Sequence, residues 1–349
     1  MVTPMINALS PRPLVSVAVP ARNEGEHIEA CLTSILNQNY PSDRMEVLVV
    51  DGFSTDDTRA RVASLRDPRL RILDNPERTV PHAMNRAIRE ARGEILVRVD
   101  AHTRIAAEYV REAVDLLQRS WAWGVGGSMT AVGATTFGRA VALATSSRFG
   151  IGDSAFHYAR RECEAESVYM GAYRISVLRG LGGYDGELTR NQDDELNARI
   201  RTHGGRIVLS PRLRSEYTCR GTPGSVTRQY FQYGSWKVRS LRKSPGGFRL
   251  RHAVPPLFVA GLAAGPAASI AAPELRLAFG AVLVAYAVLA ALAAARILRR
   301  GKDPAAAART LHVFPILHLA YGAGVWHGMV RFRLGRRAAG APVEVRRVA

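Results

Sequence analysis

Hydrophobic runs alternate with amphipathic stretches through the first hundred residues. Short runs of β-forming residues lie at 14–19, 45–50, 70–73 and 95–99. Between them, apolar residues recur at helical spacing over about 26–37, 59–65 and 81–91. Strands that alternate with helices predict an α/β fold, with a mostly parallel sheet flanked by helices. In such sheets, ligands bind at the carboxyl ends of the strands.

Acidic and polar residues follow three of these predicted strands. Asn23 and Glu24 come after the first strand, Asp51 after the second and Asp100 after the fourth. We therefore expect them to line one edge of a crevice. Because residues two apart on an extended chain project to the same side, Asp100 and His102 can reach one ion. A carboxylate and an imidazole can share a divalent metal that also carries a diphosphate, although a buried strand that ends in a polar turn has the same pattern.

A second set of acidic residues follows a predicted helix, a glycine-rich strand and a short helix, at 109–117, 123–128 and 176–179. Asp193, Asp194 and Glu195 lie at the N-terminal end of a further predicted helix, where the helix dipole favours acidic residues. Two adjacent aspartates are more than one helix cap requires. A carboxylate held at a helix start beside a cleft is well placed to act as a general base.

The composition changes after Arg251. Two charge-free runs, 253–273 and 277–295, are each long enough to span a bilayer as helices, and a third apolar run covers 310–330. Arginines and Lys302 flank the runs on the sides that the positive-inside rule places in the cytoplasm, with 274–276 outside. The basic group that ends in Arg336 and Arg337 also prefers the inside. We therefore expect two spans and a third segment that is re-entrant or interfacial.

The overall charge agrees with a membrane partner. Lys and Arg total 48 against 30 acidic residues, which gives a net charge of +18. The basic residues cluster beside the apolar runs, so they favour an anionic membrane surface over nucleic acid. Three widely separated cysteines, without a CxxC pair, indicate a reducing compartment rather than a disulfide framework. The first fifteen residues lack an apolar run, so we expect no signal peptide.

Common nucleotide-binding motifs are absent from the sequence. No GxGxxG follows the first predicted strand, and no GxxxxGK[ST] occurs. The sequence therefore lacks the main motifs that would assign it to the dinucleotide-binding or P-loop proteins.

Several motifs together resemble the family-2 inverting glycosyltransferases, which have a GT-A fold. The donor-binding half of that family is similar to residues 17–24, 49–57, 85–94 and 99–102. Its acceptor half is similar to residues 171–174, 182–185 and 192–199. The resemblance covers about 14–245, and several members of the membrane-associated succinoglycan and exopolysaccharide type carry Asp-Ala-His, as at 100–102 here. It implies a nucleotide-sugar half (14–105) and an acceptor half (106–245). With the apolar runs, we therefore expect an N-terminal tail (1–13), the catalytic domain, a membrane region (246–335) and a basic tail (336–349).

The resemblance implies roles for the residues that match the donor motifs. Pro20, Arg22 and Glu24 would border the nucleotide, and Asp51 would contact the uracil or its ribose. Asp100 would lie by the ribose and the metal. His102 would help to hold Mg²⁺ or Mn²⁺ against the diphosphate. Further candidates for neutralising the leaving diphosphate are Arg78, Arg98 and Arg220.

The resemblance also implies roles on the acceptor side. The family's Glu-Asp motif is Gln192-Asp193 here, which makes Asp193 the candidate base and Asp194 the runner-up. Glu195 and Arg199 match positions that orient the helix. Trp236 ends a loose match to the Gln-x-x-Arg-Trp motif of processive members.

The expected function is transfer of a hexose from a nucleotide sugar to a lipid-linked or polysaccharide acceptor. The nucleotide that we expect is UDP. The enzyme would be a multi-pass protein of the plasma or inner membrane, with its catalytic domain in the cytoplasm. The alternatives are a nucleotidyltransferase on a similar fold and a non-catalytic basic membrane scaffold. A nucleotidyltransferase would need a glycine-rich, lysine-containing phosphate loop after the first strand, and residues 20–25 do not supply one.

Overall fold

The structure is a computed structural model that describes residues 8–152, 159–301 and 303–334. Its strands are β1 (Val15–Ala21), β2 (Met45–Asp51), β3 (Leu70–Asp74), β4 (Ile95–Arg98), β5 (Thr103–Ile105), β6 (Gly124–Val132), β7 (Cys163–Glu164), β8 (Tyr169–Arg174) and β9 (Ile207–Thr218). Its helices in the first 250 residues are α1 (Ile28–Leu36), α2 (Thr58–Ser64), α3 (Val80–Glu90), α4 (Tyr109–Ser120), α5 (Thr136–Thr145), α6 (Arg148–Ile151), α7 (Ile175–Gly180), α8 (Gln192–Thr202) and α9 (Pro223–Lys243). Three long apolar helices follow, α10 (Val254–Ala271), α11 (Leu275–Arg299) and α12 (Pro304–Leu334).

One sheet holds the strands together, in the order β3-β2-β1-β4-β8-β6-β9-β5, with β7 also paired to β9. The first four strands in that order, β3, β2, β1 and β4, are mutually parallel, as the alternating pattern predicts. The second half is mixed: β8 is antiparallel to both β4 and β6, whereas β6 and β9 are parallel. Parallel neighbours need a long crossover, and only four residues separate β4 from β5. β5 therefore pairs with β9 instead, in the antiparallel sense.

Apolar residues at helical spacing cover both faces of the parallel half. On α1, Ile28, Leu32 and Ile35 are fully buried against one face of the sheet. On α3, Met84 and Ala87 are buried against the other face. Because both faces are covered, β1 and β2 are mostly apolar along their length rather than alternating, and their polar residues Ser16 and Glu46 are also buried. Their carboxyl ends lie in register, so polar residues that follow them meet at one edge.

The three apolar helices differ in how far the rest of the chain covers them. Each is long and apolar enough to cross a membrane. In the most apolar window of α10 and α11, 6% and 11% of residues are buried, against 44% in α12. On α12, Phe314 and Leu317 are fully buried in a cluster that includes α5 residues.

The predicted third apolar segment, 310–330, lies inside one continuous helix. A continuous helix contradicts the re-entrant loop that was one expectation for this segment. The interfacial expectation remains compatible with its partly buried surface. Arg336, Arg337 and the basic tail at 336–349 lie outside the described residues.

Candidate active site

The predicted metal-side carboxylate is paired with an arginine from its own strand. Asp100 follows β4, and its Oδ1 accepts a hydrogen bond from Arg98 Nε at 2.8 Å while its Oδ2 accepts from Nη2 at 3.3 Å. Burial raises the pKa of Asp100, but the charge and hydrogen bonds of Arg98 outweigh it and hold the pKa below its usual value. Asp100 is therefore an anion with a fixed orientation.

The structure brings His102 and Glu24 together beside this pair. The His102 Nδ1 and Glu24 Oε1 atoms lie 3.2 Å apart, and the imidazole packs edge-on against Tyr217. Burial lowers the pKa of His102, but the bond to Glu24 and the charge of Asp100 raise it by more. Sequence reasoning assigned Glu24 to the nucleotide, and the structure gives it an additional role as the residue that orients His102.

Asp100 and His102 supply the kinds of ligand that Mg²⁺ and Mn²⁺ accept. In the described part of the chain, however, no group of three or more His, Cys, Asp or Glu side chains is placed to hold a metal ion. Cations that bind substrate phosphates usually use one or two protein side chains and take the remaining ligands from phosphate and water. The two residues therefore fit a divalent cation whose coordination is completed by a bound diphosphate.

The remaining nucleotide-side residues lie at the same edge of the sheet. The Asp51 side chain is 1% exposed, and its carboxylate accepts hydrogen bonds from Ser54 and from Arg59 Nη1. Those bonds shape the turn after β2, and nucleotide contact by Asp51 stays a prediction. Pro20 is half-buried, and the exposed Arg22 packs over the glycine that follows β2.

On the acceptor side, α8 begins with the acidic cluster, as predicted. Asp193 Oδ1 accepts a hydrogen bond from the Asp194 N–H at 3.0 Å. The Asp194 carboxylate pairs with Lys237 Nζ of α9 at 2.6 Å. Lys237 was not a sequence candidate, because a single lysine in an amphipathic helix carries no signal of its partner.

The two adjacent carboxyl groups have opposite pKa shifts. Burial and the neighbouring Asp194 charge raise the pKa of Asp193. Burial also raises the pKa of Asp194, but the Lys237 ammonium outweighs it and lowers the pKa overall. Asp193 is thus the better proton acceptor of the two near neutral pH.

A small cavity joins the two halves of the site. Its lining includes Arg98, Asp100, Tyr184 and Asp193, and its volume of about 20 Å³ is roughly the space of one water molecule. Arg98 Nη1 and Tyr184 Oη are buried at this cavity, where the guanidinium lies beside the phenol, and neither atom has a further hydrogen-bond partner among the described residues. Buried polar atoms of this kind are usually satisfied by water or ligand. The sequence analysis named Arg98 as a candidate for neutralising the leaving diphosphate, and the structure places it in the lining of this cavity beside Asp100.

Glu195 and Arg199 form an ion pair within α8, and their helix-orienting role stays a prediction. Arg199 binds the Glu195 carboxylate through Nε at 2.7 Å and Nη2 at 2.8 Å. The same guanidinium donates to the carbonyls of Leu181 and Gly183, which precede the cavity residue Tyr184. The start of α8 is thereby tied to the loop that carries this tyrosine.

Trp236 occupies a different place from the one expected. Its ring packs against Phe332 of α12, with ring centroids 5.4 Å apart, and lies under the guanidinium of Arg331. Trp236 therefore belongs to the packing between α9 and α12 rather than to the lining of the cavity. The acceptor-side role of Trp236 stays a prediction.

Comparison with known proteins identifies the family. The model for glycosyl transferase family 2 matches residues 16–181. The succinoglycan biosynthesis protein ExoA of Rhizobium meliloti (strain 1021) is 32% identical over 324 residues, which are 91% of this chain and 95% of that protein. The chain belongs to glycosyl transferase family 2. The predicted enzyme class, glycosyltransferase, is confirmed.

Further relatives agree with this family-2 assignment. A glucuronosyltransferase of Methanococcus voltae that acts on a dolichyl N-acetylglucosaminyl phosphate is 26% identical over 66% of this chain and 74% of its own length. The mannosyltransferase PcManGT of Pyrobaculum calidifontis, solved in complex with GDP-Man and Mn²⁺, is 26% identical and covers 86% of this chain and 87% of its own, with a TM-score of 0.58. The predicted GT-A fold is confirmed by this similarity.

Proposed function

We propose that this family-2 enzyme is an inverting hexosyltransferase. Its donor in this proposal is a UDP-sugar, and its acceptor is lipid-linked or a polysaccharide. The observation that carries the proposal is the cavity that joins the Arg98–Asp100 pair to the Asp193 carboxylate. Asp100 is an oriented carboxylate suited to the donor side. Asp193, in the same lining, is a carboxylate with a raised pKa. An inverting displacement needs these two functions on opposite sides of the sugar.

Asp193 is the base in this proposal. The acceptor hydroxyl attacks the anomeric carbon of the donor, the bond to the diphosphate oxygen breaks, and the hydroxyl proton passes to Asp193. The Asp194 N–H holds Oδ1 of Asp193, so we assign Oδ2 as the oxygen that receives the proton. Asp194 is a weaker candidate because its ion pair with Lys237 lowers its proton affinity.

The leaving diphosphate needs its growing negative charge neutralised. Asp100 and His102 would hold a divalent cation against it, and the cation would supply that charge stabilisation. The complex of PcManGT with GDP-Man and Mn²⁺ supports this assignment. Arg98 orients Asp100, and Glu24 orients His102.

We further propose that the enzyme works at the cytoplasmic face of a membrane, in exopolysaccharide or related glycan assembly. The length and exposed apolar surface of α10 and α11 support two spans. The similarity to ExoA supports an exopolysaccharide role, and the activity of the Methanococcus relative supports a lipid-linked acceptor. A water-soluble donor and an amphipathic acceptor meet at such a surface.

The test uses membranes that contain the wild-type protein, Asp193→Asn or Asp194→Asn. Each is given radiolabelled UDP-hexoses or GDP-mannose, with and without EDTA, and label is followed into lipid extract and polymer. We expect EDTA-sensitive transfer from a UDP-sugar that is lost in Asp193→Asn and retained in part in Asp194→Asn. Transfer that survives Asp193→Asn would contradict the assignment of the base. Transfer from GDP-mannose alone would contradict the UDP assignment.

A further inference from the structure

Lys237 is a buried cation on α9 whose partner lies on another helix. Its side chain is 9% exposed, and its Nζ lies 2.6 Å from Asp194 Oδ2. Burying an ammonium group is costly unless it is paired and hydrogen-bonded. Polar contact with one specific carboxylate therefore accounts for a lysine at this position.

The Asp194 carboxylate that Lys237 holds is one residue from the proposed base. The Asp194 N–H donates to Asp193 Oδ1, so a shift of Asp194 moves a hydrogen-bond donor of the base. A second link joins the same two helices, since Asn191 Nδ2 donates to the Tyr233 carbonyl at 3.0 Å. Asn191 has a left-handed backbone, with φ of 58°, and directly precedes α8. The start of α8 is thus fixed by α9 at two points.

On its other side, α9 packs closely against α12. A Cβ added at Gly234 would lie 2.1 Å from the Tyr321 carbonyl oxygen, and one at Gly328 would lie 2.4 Å from the Ser235 carbonyl oxygen. Ser235 Oγ and His327 Nδ1 are 3.1 Å apart. This backbone-to-backbone approach fixes the residues immediately before Lys237. The position of the ammonium group is therefore determined by packing as well as by charge.

We propose that Lys237 is a positioning residue for sugar transfer, which fixes Asp194 and through it the carboxylate of Asp193 at the cavity. This inference rests on the proposed function of Asp193 as the base. Donor binding uses the opposite side of the site, around Asp100 and His102. Loss of Lys237 therefore impairs the chemical step and leaves donor affinity unchanged.

The first experiment compares three lysine variants in membranes, with kcat and donor KM measured separately. Lys237→Met is expected to lower kcat by about tenfold to a hundredfold, with donor KM changed by less than about twofold. Lys237→Arg keeps the charge and is expected to recover most of kcat. Lys243→Met is the matched control, because Lys243 lies on the same helix and pairs with Asp185 and Glu187. Its kcat is expected to equal that of the wild type.

The second experiment asks whether Lys237 acts through Asp194. In the double variant Lys237→Met/Asp194→Asn the partly exposed Asp194 carboxylate is not left without its counter-charge, so this variant is expected to fold even where Lys237→Met does not. Its kcat is expected to match that of Asp194→Asn alone. If the two residues act as one unit, removing Lys237 has no further effect once the Asp194 carboxylate is gone. A double variant slower than Asp194→Asn by the full effect of Lys237→Met would overturn the proposal.

The outcomes separate the two proposals. If Asp193→Asn keeps wild-type activity, the proposed base is wrong whatever Lys237 does. If Asp193→Asn is inactive while Lys237→Met keeps wild-type kcat, only the role of Lys237 is wrong. A rise in donor KM with unchanged kcat would also overturn it, because that pattern belongs to binding.

Discussion

Two adjacent aspartates have different chemistry here because their surroundings differ. The motif match ranked Asp193 above Asp194 as the candidate base, but it gave no physical reason for that order. The physical difference comes from Lys237, which lies 43 residues beyond Asp194 and pairs with its carboxylate. A local motif does not contain such a distant partner.

The raised pKa of Asp193 predicts the acid side of the pH profile. Asp193 accepts a proton only when ionised, so activity is present above its raised pKa and is lost as pH falls through it. An ordinary aspartate would lose ionisation near pH ~3.9. We expect kcat/KM for sugar transfer to be lost, as the pH is lowered, at a pH above that value, because burial and the charge of Asp194 raise the pKa of Asp193. A rate that stays level down to about pH 4 in a protein that remains folded would contradict this assignment.

The Tyr184 phenol at the cavity predicts a second effect at the residue scale. Tyr184→Phe removes an oxygen that lies beside the Arg98 guanidinium, and that guanidinium keeps its two bonds to Asp100, so folding stability is expected to change little. If that oxygen contacts the donor sugar, kcat/KM is expected to fall by about fivefold to thirtyfold. Thermal unfolding and transfer kinetics check the two parts.

Tyr109→Phe is the matched control for Tyr184→Phe. The Tyr109 Oη donates to the Met170 carbonyl at 2.5 Å, in the core. Its loss is expected to cost about 1–2 kcal/mol of stability while activity per folded molecule is retained. Unchanged activity in Tyr184→Phe would show that the phenol does not contact substrate.

At the scale of elements, the parallel half of the sheet was predictable, whereas in the mixed half only the glycine-rich strand at 123–128, which is β6, was predicted. The apolar runs at 45–50 and 95–99 predicted β2 and β4 because strands buried on both faces have an unmistakable local pattern. β9 was not predicted. Its second part alternates between buried residues and exposed charges such as Arg214 and Glu216, and it forms by pairing with β5, β6 and β7 from distant parts of the chain.

The contact between α9 and α12 predicts which glycines are sensitive to substitution. Gly328→Ala places a methyl group against the Ser235 carbonyl, so the helices must separate. We expect a loss of about 1–3 kcal/mol of stability and, because Lys237 moves with α9, a lower kcat. The measurements are thermal unfolding in detergent and transfer kinetics in membranes.

Gly280→Ala on α11 is the control for Gly328→Ala, since a Cβ at Gly280 meets nothing within 4 Å. Alanine favours a helix over glycine by about 1 kcal/mol, so this variant is expected to be at least as stable as the wild type. Equal behaviour of the two variants would mean that α9 and α12 are not tightly packed in the membrane.

At the scale of the whole molecule, the three apolar helices divide into two roles. α10 and α11 expose large apolar side chains such as Leu257, Ile270 and Val284, which a bilayer would cover. α12 instead covers α5 and α9 of the catalytic domain with its apolar face. Because α12 packs along α5 and α9, which belong to the domain that we propose to be cytoplasmic, we propose that α12 lies at the membrane interface rather than across the bilayer. This placement also keeps the basic residues at 296–300 and at 331 on one side, as the positive-inside rule requires.

Cysteine labelling tests this arrangement. Cys31 and Cys219 are buried, so single cysteines in a Cys163→Ser background report on the new position. In right-side-out vesicles treated with a membrane-impermeant maleimide, we expect Glu274→Cys to be labelled, because it lies in the turn between α10 and α11. Arg300→Cys and Arg331→Cys are expected to react only after permeabilisation. Labelling of Arg331→Cys in sealed vesicles would make α12 a third span, and α9 could not then hold Lys237 against Asp194 through contact with α12.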